Sequence, residues 1–383
     1  MVDKNTHNII ENIHAIVIGY DHYNTLNVIR ALGESCISFD LILISNVRSQ
    51  FTTKSKYVRT FYVLSKIDNL VEYLMSAYSS KAFKSAVIPT ADDIALTLND
   101  NDSKLNNFLH MPTAGFTEGA IGRIMDKYLM SELAKDSGFN VPQSVSINPK
   151  DIDNAVLSKI SYPCIMKAQL SAKGSKDDMR ICNSETELRE CLSILASSLE
   201  RVLIQQYIPS TDIIEVAGCS STEGDVYVNG TVIKTRAGRF LNNLGVGIMG
   251  FVDDETVEER QIRRFIELTK YNGLFAFEFL RYNNKLYFIE VNLRSDALLY
   301  FYTASGINLV EYWVKRCFGI PFPIKKRVNK SICMNEFQYI RNYLSLKNLS
   351  CNLKELISVD VFAVFSKSDI KPFLYKLINR SNA

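Results

Sequence analysis

The residues with the clearest capacity for chemistry are Glu278, Glu290 and Asn292, in the stretch LFAFEFLRYNNKLYFIEVNLR at 274–294. Two apolar runs flank the tripeptide at 283–285, a pattern that predicts a β-hairpin. Side chains alternate between the two faces of a strand, so these three polar residues share one face. The opposite face is apolar and carries Phe275, Phe277 and Phe279 on the first run and Tyr287, Ile289 and Val291 on the second.

The length of the hairpin loop decides where the two carboxylates lie. A three-residue loop, Asn283-Asn284-Lys285, places Glu278 directly across from Glu290. A two-residue loop at Asn283-Asn284 places them on opposite faces. We therefore predict an odd loop with one asparagine in the left-handed conformation.

Two carboxylates directly opposite each other repel, so a cation is expected between them. Two glutamates and an asparagine offer only oxygen ligands, which favours Mg²⁺ over zinc. Arg294 follows on the same face, where its planar guanidinium could hold a phosphate or a carboxylate. A plainer interpretation, that this is the solvated polar face of an amphipathic hairpin, stays open on the hairpin alone.

Composition narrows the class of protein. The chain has 383 residues, 47% of them hydrophobic, and a formal net charge of +3. This length predicts two or three domains, and the near-balanced charge gives no electrostatic case for nucleic acid or an anionic membrane. The N-terminus shows no signal-peptide pattern, and the eight cysteines show no C-x-x-C spacing. We expect reduced, packed thiols in a cytoplasmic protein. The four histidines show no zinc-ligand spacing.

The first hundred residues alternate short apolar runs with helical patterns, which predicts a parallel α/β domain. Strands are expected at 14–20, 41–45, 59–64 and 86–89, with helices at 21–32 and 68–77. No G-x-G-x-x-G follows the first strand, so a dinucleotide fingerprint is absent. Asp92 and Asp93 come just after a strand, where α/β folds bind ligands. An ordinary helix N-cap is the plainer interpretation of this pair.

Two lysines and a polar loop occupy the middle of the chain. A helix is predicted from Ile121 to Gly138, with Lys127 off its apolar stripe and expected in solvent. The strand at 162–169 carries Lys167 near its end, and the loop at 170–178, LSAKGSKDD, could fold over phosphates. Ser184 and Glu187 form a capping-box pattern. Further elements are expected as a strand at 202–208, antiparallel strands from 213, helices at 256–272 and 307–318, and a strand at 359–365.

Five motifs in this order resemble the ATP-grasp superfamily. They are MDKYLMSELAKDSGFNVPQSV, YPCIMKAQLSAKGS, VLIQQYIPSTD, LFAFEF and YFIEVNLR. The resemblance implies an α/β and α+β fold with an N-terminal parallel domain, a mobile lid subdomain and a catalytic antiparallel-sheet domain. The corresponding bounds are 1–115 for the first domain, 116–325 for the ATP-grasp domain with its lid at about 151–209, and 326–383 for a C-terminal extension packing on the catalytic domain.

The resemblance also implies site residues. Lys127 and Lys167 match basic residues that contact ATP phosphates. The magnesium ligands match Glu278, Glu290 and Asn292, and Arg294 matches the arginine beside the transferred phosphate. The remaining matches are Gly174 and Ser175 in the lid loop, Gln205, Gln206, Tyr207 and Ile208 in the strand that reads adenine, Asp212 at the ribose, and Lys234 and Arg236 at substrate or phosphate. The superfamily often has glutamate where this chain has Gln205, whose amide could still accept a hydrogen bond from the adenine amino group.

The reaction implied by the resemblance joins a carboxylate to an amine through an acyl phosphate and releases ADP and phosphate. The cofactors implied are ATP and Mg²⁺, with Mn²⁺ as an acceptable substitute. IPTADD and the tail VDVFAVFSKSDIKPFL look like stand-alone ligases near D-aspartate ligase. The alternatives are an ATP-dependent carboxylase or carbamoyl-phosphate-type enzyme and a non-catalytic nucleotide-binding module. Small-molecule carboxylates and amines are the expected partners, and a homodimer stays open.

Overall fold

The residues that the computed structural model describes form three β-sheets, and the predicted α/β and α+β architecture is confirmed. The structure describes residues 13–47, 50–115, 119–170, 179–210, 212–228, 230–234, 249–252, 259–321, 331–343, 354 and 356–379. None of the helices within these ranges is long and apolar enough to cross a bilayer.

The first sheet is parallel and has the strand order β3-β2-β1-β4-β5. Helices cover both faces of its central strands, which are apolar, whereas the edge strand β3 is exposed or only partly buried. Asp92 begins the helix that follows β4. The elements are β1 His14–Gly19, α1 Tyr23–Glu34, β2 Ser38–Ile44, β3 Thr60–Leu64, α2 Leu70–Tyr78, β4 Ser85–Pro89, α3 Asp92–Asn99, α4 Asp102–Leu105 and β5 Leu109–His110.

The helix predicted from Ile121 to Gly138 is two helices. Asp126 separates them, and its side chain accepts hydrogen bonds from the backbone N–H groups of Tyr128 and Leu129. An aspartate at this position is a strong N-cap, so the second helix starts afresh at Lys127. The two helices are α5 Ala120–Ile124 and α6 Lys127–Asp136.

The second sheet is antiparallel, has the order β6-β9-β7-β8 and encloses its own apolar core with α8. Ser184 caps α8 by accepting from the N–H of Glu187, as the capping-box pattern predicts. The Glu187 carboxylate reaches back one residue further, to the N–H of Asn183. The elements are β6 Ser144–Ile147, α7 Asn154–Leu157, β7 Cys164–Ala168, β8 Arg180–Cys182, α8 Glu185–Leu195 and β9 Val202–Gln206.

The third sheet has eight strands in the order β15-β14-β10-β12-β13-β16-β17, with β11 paired to β10. It includes two strands from the C-terminal region, of which only the second, shorter than expected, was predicted. The elements are β10 Asp212–Ser220, β11 Val226–Val228, β12 Thr231–Lys234, β13 Met249–Val252, α9 Glu259–Thr269, β14 Gly273–Tyr282, β15 Lys285–Asn292, α10 Leu299–Ala304, α11 Leu309–Cys317, β16 Ile332–Met334, α12 Glu336–Tyr343, β17 Val361–Phe362 and α13 Lys371–Ile378.

The two faces of β14 pack into different cores. Phe275, Phe277 and Phe279 are buried against α5, α6 and α9. On the other face Leu274 and Ala276 join a core that also contains α1, α10 and α11. The face beneath α10 and α11 becomes polar at Glu278, so the candidate site lies where this shared core ends.

Candidate active site

The hairpin of β14 and β15 places Glu278 directly across from Glu290, so the predicted pairing is confirmed. The predicted three-residue loop is wrong. The turn consists of Asn283 and Asn284 alone, and both have positive φ, at 49° and 57°. This is the geometry of a type I′ turn, which suits the twist of a hairpin.

A β-bulge supplies the odd residue that the loop does not. The pairing changes register between Glu278 opposite Glu290 and Phe279 opposite Phe288, which leaves Ile289 as the extra residue. Phe288 and Val291 therefore point into the core, where Tyr287 and Ile289 had been expected beside Val291. The extra residue reverses which side chains of β15 face the core, so Glu278 and Glu290 lie on the same face of the hairpin.

A third carboxylate extends this row across the sheet. Glu215 on β10 lies directly opposite Glu278 on the other side of β14 and is completely buried. Lys234 bridges the two, because its Nζ lies 2.9 Å from Glu215 Oε2 and 3.2 Å from Glu278 Oε1. The sequence analysis missed Glu215, although a lone acidic residue in the apolar run IIEVAGC was a usable signal.

Burial sets the protonation of this cluster. It raises the pKa of Glu278, an effect that Lys234 opposes and Glu290 reinforces. Burial and Asp296 raise the pKa of Glu215 well above its ordinary value. Burial alone would raise the pKa of Asp296 as well, but Arg294 and Lys234 bring it below its ordinary value. Burial and Asp296 thus disfavour the charged form of Glu215, whereas Arg294 and Lys234 favour the charged form of Asp296.

Lys234 is the cation of the cluster. Burial would lower the pKa of Lys234, but the surrounding Glu215, Glu278 and Asp296 raise it well above its ordinary value. The ammonium is thus permanently charged at neutral pH, and it can neutralise an anion but cannot act as a base.

Arg294 joins the N-terminal sheet to the hairpin. Its Nε lies 2.6 Å from Asp92 Oδ1, and its Nη2 donates to Asn292 Oδ1 at 3.0 Å. Its Nη1 lies 3.4 Å from Asp296 Oδ2, a residue that the sequence analysis missed. Burial would lower the pKa of Arg294, but Asp92 and Asp296 raise it. The guanidinium group of Arg294 is therefore oriented by partners from two regions of the chain.

Asp92 and Asp93 do not cap α3. Ala91 is the N-cap residue and makes no side-chain capping bond. Asp92 instead pairs with Arg294, and Asp93 accepts a hydrogen bond from the Tyr20 hydroxyl. The plainer interpretation of these aspartates is wrong, and the first turn of α3 faces the candidate site.

The two lysines of the nucleotide motifs are buried, and the expectation of a solvated Lys127 is wrong. Lys127 is the first residue of α6, and its N–H donates to the carbonyl of Gln169 at 3.0 Å, which fixes the helix start against the end of β7. The helix also packs on β15, where Met130 Sδ lies 3.3 Å from the N of Val291. The N-terminus of α6 therefore lies beside the hairpin.

Lys167 on β7 is 5% exposed, and its Nζ donates to Gln205 Oε1 at 3.1 Å. Burial, with Lys127 adding to it, lowers the pKa of Lys167 to about 8, although Glu290 partly opposes the shift. A lysine from the second sheet and a carboxylate from the third thus interact electrostatically.

The remaining predicted site residues differ in exposure, and some of them lie outside the described residues. Gln206 ends β9 with an exposed side chain, Tyr207 is partly buried, and Ile208 is buried. Asp212 begins β10 opposite Arg281, and its side chain is not described. Gly174, Ser175 and Arg236 lie outside the described residues, as does most of the predicted lid loop.

Comparison with known proteins identifies the class. The profile of RimK-like ATP-grasp domains matches residues 124–315, just over half of the chain. The chain belongs to this family, and the predicted ATP-grasp resemblance is confirmed. The finer placement near D-aspartate ligase stays a prediction.

Individual relatives are distant. The chain is similar to the C-terminal section of the carbamoyl phosphate synthase large chain from Aquifex aeolicus, 25% identical over 69% of this chain and 49% of that protein. Multifunctional protein URA2 from Saccharomyces cerevisiae is 20% identical over 84% of this chain, which spans only 14% of that protein. The chain therefore covers half or less of the length of these two relatives.

Solved structures share the fold. The N5-carboxyaminoimidazole synthetase from Staphylococcus aureus, in complex with ADP, superposes with a TM-score of 0.65 at 15% identity, over 89% of this chain and 86% of that one. The L-amino acid ligase from Bacillus licheniformis superposes with a TM-score of 0.61 at 15% identity, over 80% and 74%.

Proposed function

We propose that the protein is an ATP-dependent ligase that joins a carboxylate to an amine and releases ADP and phosphate. The observation that carries the proposal is the row of carboxylates at Glu290 and Glu278, with Lys167 on one side and Lys234 on the other. Membership of the ATP-grasp family supports ATP as the nucleotide.

Nucleotide phosphates are assigned to the lysines. Lys127 and Lys167 come from different elements, yet they lie close enough for Lys127 to depress the pKa of Lys167. Two ammonium groups close together in a buried place repel each other, and this repulsion lowers the pKa of Lys167. A polyphosphate relieves this repulsion, and the strand at 205–208 is proposed to hold the adenine.

The carboxylate face fits Mg²⁺. Glu278 and Glu290 are like charges directly opposite, and Asn292 adds an amide oxygen, so the donor set is all oxygen. No group of three His, Cys, Asp or Glu side chains converges for a metal anywhere in the described ranges. Asn292 and phosphate oxygens are therefore proposed to share the coordination. When bound, Mg²⁺ neutralises phosphate charge.

The chemistry follows from charge placement. The substrate carboxylate attacks the γ-phosphorus of ATP, the bond to ADP breaks, and a mixed anhydride forms. The amine then attacks the carbonyl carbon of this mixed anhydride and displaces phosphate. Arg294 and Lys234 are proposed to stabilise the negative charge that develops on the transferred group and the leaving phosphate. Such a transfer requires positioning and neutralisation, with no side-chain nucleophile.

The test is an ADP-release screen over amino acids and small carboxylates, with mass spectrometry of the product. A pair of acid and amine that releases ADP and phosphate and gains the mass of an amide supports the ligase. Carboxylate labelled with ¹⁸O should pass one label to phosphate. Release of AMP and pyrophosphate, or retention of all the label in the product, would contradict the mechanism.

A carboxylase or carbamoyl-phosphate-type activity is the second candidate. The biotin carboxylase of Haemophilus influenzae is 26% identical over 55% of this chain, besides the synthase above. Bicarbonate would then be the acid that ATP activates. ADP release that requires bicarbonate and no other acid would favour this candidate over the ligase.

Location and assembly belong to the same proposal. The seven cysteines within the described ranges are free, which agrees with a cytoplasmic setting. A biotin carboxylase domain from Hydrogenobacter thermophilus with the same fold is described as a dimer. A homodimer of this chain remains a proposal that light scattering would test.

A further inference from the structure

Gln169 joins the second sheet to the helix that begins at Lys127. It directly follows β7, and its backbone carbonyl accepts from the N–H of Lys127 at 3.0 Å. Its side chain is buried at 8% exposure, and Nε2 donates to Asp126 Oδ2 at 2.6 Å. Asp126 is the N-cap residue of α6. The backbone and the side chain of Gln169 therefore both hold the first turn of this helix.

A chain of hydrogen bonds fixes which way the Gln169 amide points. Arg201 can only donate, and its Nε donates to Ser146 Oγ at 2.8 Å. The Ser146 hydroxyl thus keeps its hydrogen for Gln169 Oε1, to which it donates. At the other end the Asp126 carboxylate can only accept, so the Nε2 group of the amide must face it. Both ends require the same orientation, and both polar atoms of the side chain have partners.

Apolar packing does not set the distance between the two lysines. The core of the second sheet consists of described residues between 145 and 204 and includes no residue of α6. Lys167 belongs to this sheet, whereas Lys127 begins α6, which packs on β15. Polar contacts at Gln169, together with the bridge between Asp126 and Leu170, therefore hold β7 against the start of α6.

We propose that Gln169 is a positioning residue for nucleotide binding, whose amide holds β7 against α6 and so keeps Lys127 and Lys167 at the separation that the phosphates require. Two ammonium groups repel, so such a contact must resist their separation. A buried hydrogen bond to a carboxylate is strong and directional, which suits this role. The inference rests on the proposed ATP site and adds a residue that acts on the nucleotide only through the two lysines.

The experiment is calorimetric titration of the full chain with MgATP at pH 7 and at pH 9, and no acid or amine is needed. Gln169→Met removes both side-chain hydrogen bonds and keeps the length of the side chain. It should weaken MgATP binding at pH 7 about tenfold, the size expected when one hydrogen bond to a charged group is lost. Gln143→Met makes the same change at an exposed glutamine and should bind MgATP like the wild type.

The pH profile separates positioning from a plain loss of stability. Burial, with Lys127 adding to it, lowers the pKa of Lys167 to about 8, and Glu290 opposes this shift. Lysines that move apart, or water that enters around Lys167, would raise this pKa. In Gln169→Met the affinity should therefore fall between pH 7 and pH 9 by less than the tenfold expected of the wild type. A side chain that only stabilised the fold would leave the ratio of the two affinities unchanged.

A reciprocal exchange tests the hydrogen bond itself. Gln169→Glu sets two carboxylates against each other, and Asp126→Asn sets two NH₂ groups against each other if the new amide oxygen keeps capping α6, so each should weaken binding. The double variant exchanges donor and acceptor. Its new amide can donate to the new carboxylate, to which Ser146 can still donate. Most of the MgATP affinity at pH 7 should therefore return.

A milder variant keeps the inference testable if Gln169→Met does not fold. Ser146→Ala removes the hydroxyl that orients Oε1, and it should give the same two changes at smaller size. Wild-type affinity in Gln169→Met, or in Ser146→Ala where that variant replaces it, overturns the inference.

The other outcomes are equally distinct. Weaker binding with the wild-type pH dependence, or a double variant as weak as the single ones, also overturns the inference. All of these results leave the proposed function intact. Wild-type protein that binds no MgATP contradicts the proposed function, and the inference falls with it.

Discussion

At the scale of single residues, the acidic row is held in place by cations that come from distant parts of the chain. The hairpin supplies Glu278 and Glu290, whereas the cation Lys234 comes from β12, and the cation Arg294 is oriented by Asp92 from the first turn of α3. The hairpin residues were predictable because a period of two reveals one strand face. The ion pair of Asp92 with Arg294 joins residues 202 positions apart, so no local pattern could show it.

Glu290→Gln should reduce MgATP turnover about 100-fold or more while leaving folding nearly unchanged. The substitution removes a charge and keeps the volume, so the free energy of unfolding should change by about 0.5 kcal/mol or less. ADP release with the substrates found in the screen is the measurement. The exposed Glu267→Gln is the matched control. Normal turnover in Glu290→Gln would remove Glu290 from the proposed metal site.

The affinity for ATP should fall as pH rises through about 8. Lys167 has a pKa of about 8 in the free protein, lowered by burial and by Lys127. Phosphate binds the protonated form, so this contribution is complete below pH 8 and is lost above it. Calorimetry should give about tenfold weaker binding at pH 9 than at pH 7.

Lys167→Arg is the matched control for this pH dependence. A guanidinium stays protonated throughout this range. The decrease in ATP affinity between pH 7 and pH 9 should therefore disappear in this variant, whatever its absolute affinity. A wild-type profile that is flat from pH 7 to pH 9 would show that the Lys167 ammonium does not bind the phosphates.

At the scale of elements, sequence patterns predicted which strands exist better than how they are joined. Alternation in LFAFEF and YFIEV predicted the hairpin, but the bulge at Ile289 depends on packing that lies far away in sequence. Phe288 stacks on Phe139, with centroids 5.6 Å apart, and this contact favours Phe288 as the inward residue. The break at Asp126 was encoded locally, since an aspartate before KYLM is an N-cap signal.

Asn284→Gly should stabilise the protein by about 0.5 kcal/mol, because Asn284 has a φ of 57° in a two-residue turn and glycine is favoured there. Asn284→Val should destabilise it by about 1–2 kcal/mol, since a β-branched residue is strained in the left-handed region. Urea unfolding of both variants is the measurement, with the exposed Lys285→Ala as control. A destabilising glycine would argue against the type I′ turn.

At the scale of the whole molecule, the first and third sheets share a core, and ion pairs join the N-terminal domain to the hairpin and to the C-terminal region, while the second sheet encloses a core of its own. The apolar core beneath α10 and α11 includes residues of the first sheet, the third sheet and the C-terminal region. Composition predicted enough apolar residues for such a core, but it could not predict that the first and last segments of the chain would meet. The domain bounds drawn from the sequence remain predictions. The shared core crosses the predicted bounds at 115 and at 325, because it includes residues from all three predicted domains.

The contact between the two ends of the chain centres on Arg30. This arginine of α1 is completely buried, and its Nε lies 3.1 Å from Asp369 Oδ2. Its Nη2 donates to the carbonyl of Val364 at 2.7 Å. Asp369 also accepts from Ser55 Oγ and from the N–H of Lys56, both at 2.8 Å. The C-terminal region is thus fastened to the N-terminal domain as well as to the third sheet.

Asp369→Ala should therefore be among the most destabilising single substitutions in the chain. It leaves the Arg30 guanidinium buried without its counter-ion and removes the acceptor for Ser55 and Lys56, which should cost about 3–5 kcal/mol of unfolding free energy. Urea unfolding followed by tryptophan fluorescence is a suitable measurement, because the single tryptophan, Trp313, lies in the shared core.

Lys367→Ala changes an exposed residue two positions away and should cost less than about 0.5 kcal/mol. Arg30→Met with Asp369→Leu should recover most of the loss, since two apolar side chains leave no unpaired charge. If Asp369→Ala unfolds at the wild-type urea concentration, the ion pair does not fasten the C-terminal region to the N-terminal domain.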